Sequence, residues 1–148
     1  MSRTFLRSLT AVACAFATLL MLAVPASATV TYPERVEIWR INRDRAAHGI
    51  RPLVVSDTLS TAARRHSCQM AAANSLAHST SLRTIVPSGW HIIGENIGDS
   101  WNLWDLHKAF MASAVHRENI LRTRFTRVGV GLCRDRSGMY WETAMFWG

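Results

Sequence analysis

Three stretches of the chain carry side chains suited to chemistry: Ala77-His78-Ser79, Gly94-Glu95-Asn96-Ile97 and His116-Arg117-Glu118-Asn119-Ile120-Leu121. Glu95 is a lone carboxylate among Ile92, Ile93 and Ile97. Burying such a charge unpaired is costly, so it must face histidines, a metal or water in a cleft. His78 lies 17 residues before Glu95 and His116 lies 21 after it. That spacing excludes pairing on one helix face, so a His78, Glu95, His116 cluster has to be assembled by the fold. Two imidazoles and a carboxylate make a hydrolytic zinc site when a fourth position is left to water, with Glu95 as the candidate catalytic group. The same three residues equally make a metal-free hydrogen-bonded cluster.

Other reaction classes lack their residues. There is no His-Glu-x-x-His segment and no Gly-x-Ser-x-Gly elbow. His116-Arg117-Glu118 has the His-x-Glu form of zinc deaminases, but no Pro-Cys-x-x-Cys follows. A glycosidase needs paired carboxylates at a cleft, and beside Glu95 the residues Asp57, Asp105, Glu118 and Asp135 read as caps, turns and helix surface.

The elements that must position these residues follow from periodicity. A first helix is expected from about Pro33 to His48, stopped by Gly49, with Val36, Ile38, Trp39 and Ile41 giving a wide buried arc. Ser56 or Asp57 caps a second helix whose core stripe is Leu59, Ala62, Ala63, His66, Met70 and Ala73. His66 reads as a hydrogen-bonded core histidine, and Cys68 lies off the stripe. His78 opens a polar connection to Trp90. A third helix, Leu103 to Ala114, puts Leu103, Leu106 and Phe110 on one face and His107 toward solvent, and a short helical turn with His116 follows. Val128, Val130 and Leu132 alternate with Gly129, Gly131 and Cys133 as a strand. Asp135-Arg136-Ser137-Gly138 then turns the chain into a second strand, Met139 to Phe146, forming an antiparallel hairpin. The paired glycines leave room for a helix. The sum is an α+β layered domain, three or so helices packed on a small antiparallel sheet.

Arg3 and Arg7 precede an apolar run from about Leu9 to Val24, and Ala26-Ser27-Ala28 offers small residues for cleavage before Thr29. Residues 1–28 thus read as a secretory signal peptide, leaving 29–148 as one domain with no transmembrane anchor after cleavage. Removing the two signal arginines lowers the formal charge from +7 to +5, dispersed over the chain, which argues against a nucleic-acid partner. Cys68 and Cys133 remain, either as a disulfide, as an even count in an oxidising compartment suggests, or as two buried thiols. Trp90 and Trp101 bracket the Glu95 segment, as the walls of an apolar groove or as core packing.

Taken in order, several motifs resemble the CAP superfamily, which includes cysteine-rich secretory proteins, insect venom antigens and plant pathogenesis-related proteins. They are Asn42-Arg43-Asp44-Arg45 with Gly49 and Pro52-Leu53, His66 and Met70, Ala77-His78-Ser79, Gly94-Glu95-Asn96-Ile97, Phe110 with Ser113, His116 to Leu121, and Val128-Gly129-Val130-Gly131. The resemblance to a bacterial member implies an α-β-α sandwich with the Gly94 region next to or within the third strand. It also implies structural roles for Asn42, Arg45, Asn96, Ser113 and Asn119, with Arg45 an anchor. The family's cavity holds two histidines and two glutamates. Aligning Phe110 with the family's tryptophan puts Ser113 where the second glutamate would stand. This chain therefore keeps three of the four, which weakens an acid/base mechanism more than coordination of zinc or another divalent metal by His78, His116 and Glu95. The resemblance further implies binding of lipids such as sterols or fatty acids. The expectation is a secreted, extracellular binding or interaction module whose partner is a lipid or cell-envelope component, with a metal-dependent hydrolase as the alternative.

Overall fold

Helix α1, Tyr32–Ala47, starts with Pro33 in its first turn and Glu34 reaching back to accept the Thr31 amide at 2.7 Å. Gly49, at φ +69°, takes the left-handed conformation that ends the helix. The computed structural model describes residues 29–85 and 88–148; the signal segment read at 1–28 lies outside them. The remaining elements are β1 (Val54–Val55), α2 (Asp57–Ala73), α3 (Leu82–Ile85), β2 (Ile93–Ser100), α4 (Leu103–Ala112), α5 (Ala114–Leu121), β3 (Arg127–Arg134) and β4 (Tyr140–Trp147). Ser56 caps α2 by accepting the Leu59 amide, and Asn74, at φ 47°, closes it. Asn102 caps α4 by accepting the Trp104 and Asp105 amides.

The four strands lie in the order β1-β3-β4-β2. The β2, β4 and β3 pairings are antiparallel, whereas β1 joins β3 in parallel over two residues, so the sheet is mixed rather than purely antiparallel. Gly94 falls in β2, the second strand along the chain. One face carries α2 and the other carries α1, α4 and α5, which gives the three-layered α-β-α arrangement. The close approach of α2 depends on Gly129 and Gly131: a Cβ on either would collide with the backbone around Leu59 and Ser60 or around Ala63 and Arg64. Opposite α2, Phe125 and Phe146 stack at 5.3 Å within a core that includes Ile38, Ile41, Phe110 and Ile120. At the hairpin tip, the Ser137 hydroxyl and Trp141 indole, with the Met139 and Ser137 amides, bond Asp135 and hold its carboxyl at about 2.

Two expectations about helix faces are corrected. Trp39 is 59% exposed, because α1 turns Glu34, Glu37, Ile38, Ile41 and Arg45 inward instead. The third helix ends at Ala112, since Ser113 is extended (ψ 123°) and becomes the start of α5. His107, expected to face solvent, is 1% exposed. Its place at three and four residues from Phe110 and Leu103 puts it on the helix's buried stripe.

Cys68 of α2 and Cys133 of β3 form a disulfide, with Cα atoms 5.0 Å apart and a sequence separation of 65 residues. Closing a loop of that length should stabilise the fold by roughly 3 to 4 kcal/mol on the loop-entropy account. Urea unfolding of Cys68→Ala/Cys133→Ala beside the oxidised protein should show that loss as a lower midpoint. An unchanged midpoint would show that the bridge is thermodynamically idle.

Candidate functional site

The site is built by clamps between the backbone of one element and side chains of another. Arg45, fully buried on α1, donates from Nε to the Arg51 carbonyl at 2.9 Å and from Nη1 to the Ile120 and Arg122 carbonyls at 2.8 and 2.9 Å. Its Nη2 donates to Phe125 O at 3.4 Å. Burial lowers the pKa of this guanidinium, with Arg51's charge adding to the effect, and four carbonyls take the place of a carboxylate partner. Asn42, one turn earlier, exchanges bonds with Leu53: Nδ2 donates to its carbonyl at 3.0 Å, and Oδ1 accepts its amide at 2.8 Å.

Two further amides join α5 to β2. Asn96 Nδ2 donates to the His116 carbonyl at 3.0 Å, and Asn119 Nδ2 donates to Asn96 Oδ1 at 2.9 Å and to the Glu95 carbonyl at 3.3 Å. Gly94 makes the space, since a Cβ there would press on Asn119 and Phe125. Ser113 is the junction of α4 and α5, its carbonyl accepting the Arg117 amide at 2.9 Å. His116, the third residue of α5, packs its ring on Phe110 at 5.0 Å.

Glu95 is buried on β2 and gives both oxygens to the loop after α2. Oε1 accepts from His78 Nδ1 at 2.8 Å and from the Ser79 amide at 2.9 Å, and Oε2 accepts from the Ser79 hydroxyl at 2.5 Å. With its Nδ1 proton on a carboxylate, His78 leaves Nε2 as its free nitrogen. The His78 side chain is 63% exposed and that of Glu95 is 3% exposed, so the pair bridges core and solvent. Burial depresses the His116 pKa first and the charge of His78 adds to it, so His116 favours its neutral form and stands within electrostatic reach of His78. Among the described residues no three His, Cys, Asp or Glu side chains converge as a metal-holding group. His66 is half-buried, with Nε2 2.8 Å from the Ala77 carbonyl, and secures the loop just before His78. Trp90 and Trp101 flank the eight-residue β2 at opposite ends. Trp90 packs against the cluster of Leu59, Ala62, Ala63 and Met145, as core packing, whereas Trp101 is 66% exposed.

A second polar cluster was not read from the sequence. His107 presents Nδ1 to Glu37 and Nε2 to Asp44, the latter at 2.7 Å. Burial opposes its charge, but the bonds and charges of Glu37 and then Asp44 outweigh it and raise its pKa, consistent with both ring nitrogens carrying protons. Glu37 and Asp44 lie seven residues apart on one face of α1, and that spacing was the available signal. Close by, Glu142 of β4 is fully buried and, among the described residues, neither of its carboxyl oxygens is hydrogen-bonded. Burial, reinforced by Glu37's charge, raises its pKa well above the usual carboxylate range. Glu34 shifts the opposite way. Burial works against its ionisation, but Arg64, the Thr31 and Leu132 amides and a bidentate geometry (2.7 and 2.5 Å to Arg64) hold its pKa down.

A three-layered domain with a His/Glu pair at the edge of its sheet defines a structural class, and the comparisons name it. The model of the CAP family, the cysteine-rich secretory proteins, matches residues 39–147, and the chain belongs to that family. It is 32% identical over 124 residues to protein YkwD of Bacillus subtilis (strain 168), covering 78% of this chain and 48% of that one, so it spans about half the length of that relative. An outer surface protein of Borrelia burgdorferi superposes with a TM-score of 0.70 at 15% identity, covering 76% of this chain and 90% of that one. An extracellular SCP-domain protein of Bacillus anthracis gives 0.60 at 27% identity, over 77% of this chain and 41% of that one. No helix among the described residues is long and apolar enough to cross a membrane.

Two outcomes follow from these clusters. Glu95→Ala strips the acceptor from a half-buried amide, a hydroxyl and an imidazole, and should cost about 2 kcal/mol, read as a melting temperature roughly 5–10 °C lower. Wild-type stability in that variant would mean the loop is held without it. For Glu142 the folded pKa lies above the unfolded one. Its contribution is therefore fully present below pH ~4.5 and is lost as pH rises toward the folded pKa, by about 1.4 kcal/mol per unit. Glu142→Gln should accordingly exceed wild-type stability at pH 8, with the difference closing near pH 4; a constant difference would place an ionised Glu142 in the fold.

Proposed function

We propose that this chain is an extracellular CAP-domain binding module that presents His78 and His116 to a divalent transition metal, most readily zinc. The observation that supports a binding role over hydrolysis is the state of Glu95. Both its oxygens are engaged by His78 and Ser79, which take three of the carboxylate's four acceptor positions, so it serves to orient an imidazole and hold the loop rather than to activate a water. At position 113, where a second carboxylate would assist acid/base work, a serine joins two helices. The donor set fits a metal as a histidine pair: His78 offers Nε2 with its other nitrogen fixed by a carboxylate, the arrangement found behind metal-bound histidines, and His116 favours its neutral, ligating form. A bound divalent ion would supply a Lewis-acidic point with open positions for a ligand's oxygen atoms. The disulfide and the outer-surface and extracellular descriptions of the similar structures support a place outside the cell.

Metal binding requires neutral imidazole, so affinity should fall with acidification. Titration calorimetry with zinc should show weak binding at pH 7.5 that diminishes at pH 5.5 and disappears in His78→Ala and in His116→Ala. The fold should survive a chelator, because the core and the disulfide hold it. Zinc binding that persists in both variants would refute the histidine pair.

A further inference from the structure

His78 also lines a cleft of about 460 Å³ between α2 and the loop that follows it. Arg65, His66 and Gln69 line it from the helix, and His78, Thr80 and Ser81 from the loop. None of its lining residues is acidic, and the Glu95 carboxylate behind the loop is engaged by His78 and Ser79. Arg65 is exposed and, among the described residues, is engaged by no hydrogen bond or ion pair; its neighbour Arg64, by contrast, is committed to Glu34. The Gln69 amide and the Thr80 and Ser81 hydroxyls are likewise uncommitted among the described residues. The cleft therefore gathers an unneutralised cation and several neutral donors, with no countercharge of its own.

We propose that this cleft binds a phosphoryl group, with Arg65 as the principal cation and Gln69, Thr80 and Ser81 as neutral donors. A guanidinium fork engages two oxygens of a tetrahedral anion, and the Gln69 amide on the same helix together with the Thr80 and Ser81 hydroxyls on the facing wall suit its remaining oxygen better than they suit a flat carboxylate. The volume leaves room beside the phosphoryl group for the organic part of a phosphate ester. His66, bonded to the Ala77 carbonyl, keeps the loop wall in place against the helix wall. The inference rests on reading the chain as a binding module, but it needs no metal, and His116 does not line the cleft.

The test is a titration of inorganic phosphate into isotope-labelled protein in the presence of a chelator, followed by amide chemical shifts. Saturable shifts confined to residues 65–69 and 78–81 are expected. Affinity should weaken by about tenfold or more in Arg65→Glu at low salt, take an intermediate value in Arg65→Lys, and stay unchanged in His116→Ala. Because Arg65 is exposed and unbonded, both substitutions should leave the melting temperature unaltered. A second arm sediments the protein with phosphatidylglycerol or phosphatidylcholine vesicles. Arg65-dependent binding to the first supports the site and assigns its phosphoryl group to a lipid headgroup, whereas phosphate shifts without vesicle binding support it and assign the group to a soluble or polymer-borne ester. Absence of both, or phosphate shifts indifferent to Arg65→Glu, overturns the proposal. Absence of zinc binding by the wild-type protein with phosphate binding intact would count against the histidine pair alone.

Discussion

The α5 side of the candidate site hangs on one buried guanidinium. Among the described residues Arg45 meets no carboxylate, and it directs its donors to four backbone carbonyls, from the segment after α1 and from the end of α5 onward. An ion taken out of water costs several kcal/mol unless its donors are satisfied, so this arrangement tolerates little displacement of any carbonyl. The last carbonyls of a helix lack partners of their own and sit at the negative end of its dipole. The cation and the helix end thus satisfy one another, which fixes α5 against α1. Asn96 and Asn119 then fix the same helix against β2, and the position of His116 relative to Glu95 is the result.

The chain contains the same chemical unit twice, a histidine facing carboxylates, and environment gives the two copies different characters. His107 is 2% exposed at its side chain and is bracketed by Glu37 and Asp44, so it is a charged strut between α4 and α1. His78 is 63% exposed with one carboxylate on one nitrogen, so its second nitrogen is open to a ligand. Burial and the number of partners, not residue type, separate a structural cluster from a candidate site. Glu142 near the strut follows the same logic: buried beside Glu37 and, among the described residues, given no hydrogen-bond donor, its carboxyl is pushed up in pKa.

The two faces of the sheet divide the work. On one, Gly129 and Gly131 let α2 lie against the strands, the disulfide ties it there, and its far end delivers the loop carrying His78 and Ser79. On the other, α1 anchors α5 and therefore His116. Glu95, between them on β2, is reached from the α2 side by His78 and Ser79, and its backbone carbonyl from the α5 side by Asn119. Arg64, crossing from α2 to Glu34 of α1 past the amide of Leu132, ties the two layers together at the edge of the sheet.

The layered fold, the helical stripe of α2, the glycine-faced strand, the hairpin and the family were legible in the sequence, because each rests on local periodicity, turn chemistry or motif order. The pairing of Cys68 with Cys133 was readable as one of two options, and the separation of their Cα atoms decided it. What the sequence left undetermined was which polar residues go inside. Glu34, Glu37, His107 and Glu142 look like surface residues by composition. They are buried because partners from distant elements, such as Leu132 for Glu34 at a separation of 98 residues, complete or oppose their charge. Trp39 shows the reverse: an apolar side chain on a promising spacing stays outside because α1 turns its charged face inward. Periodicity reports how residues are arranged around one helix. The choice of buried face is an interaction between elements, and only tertiary structure makes it.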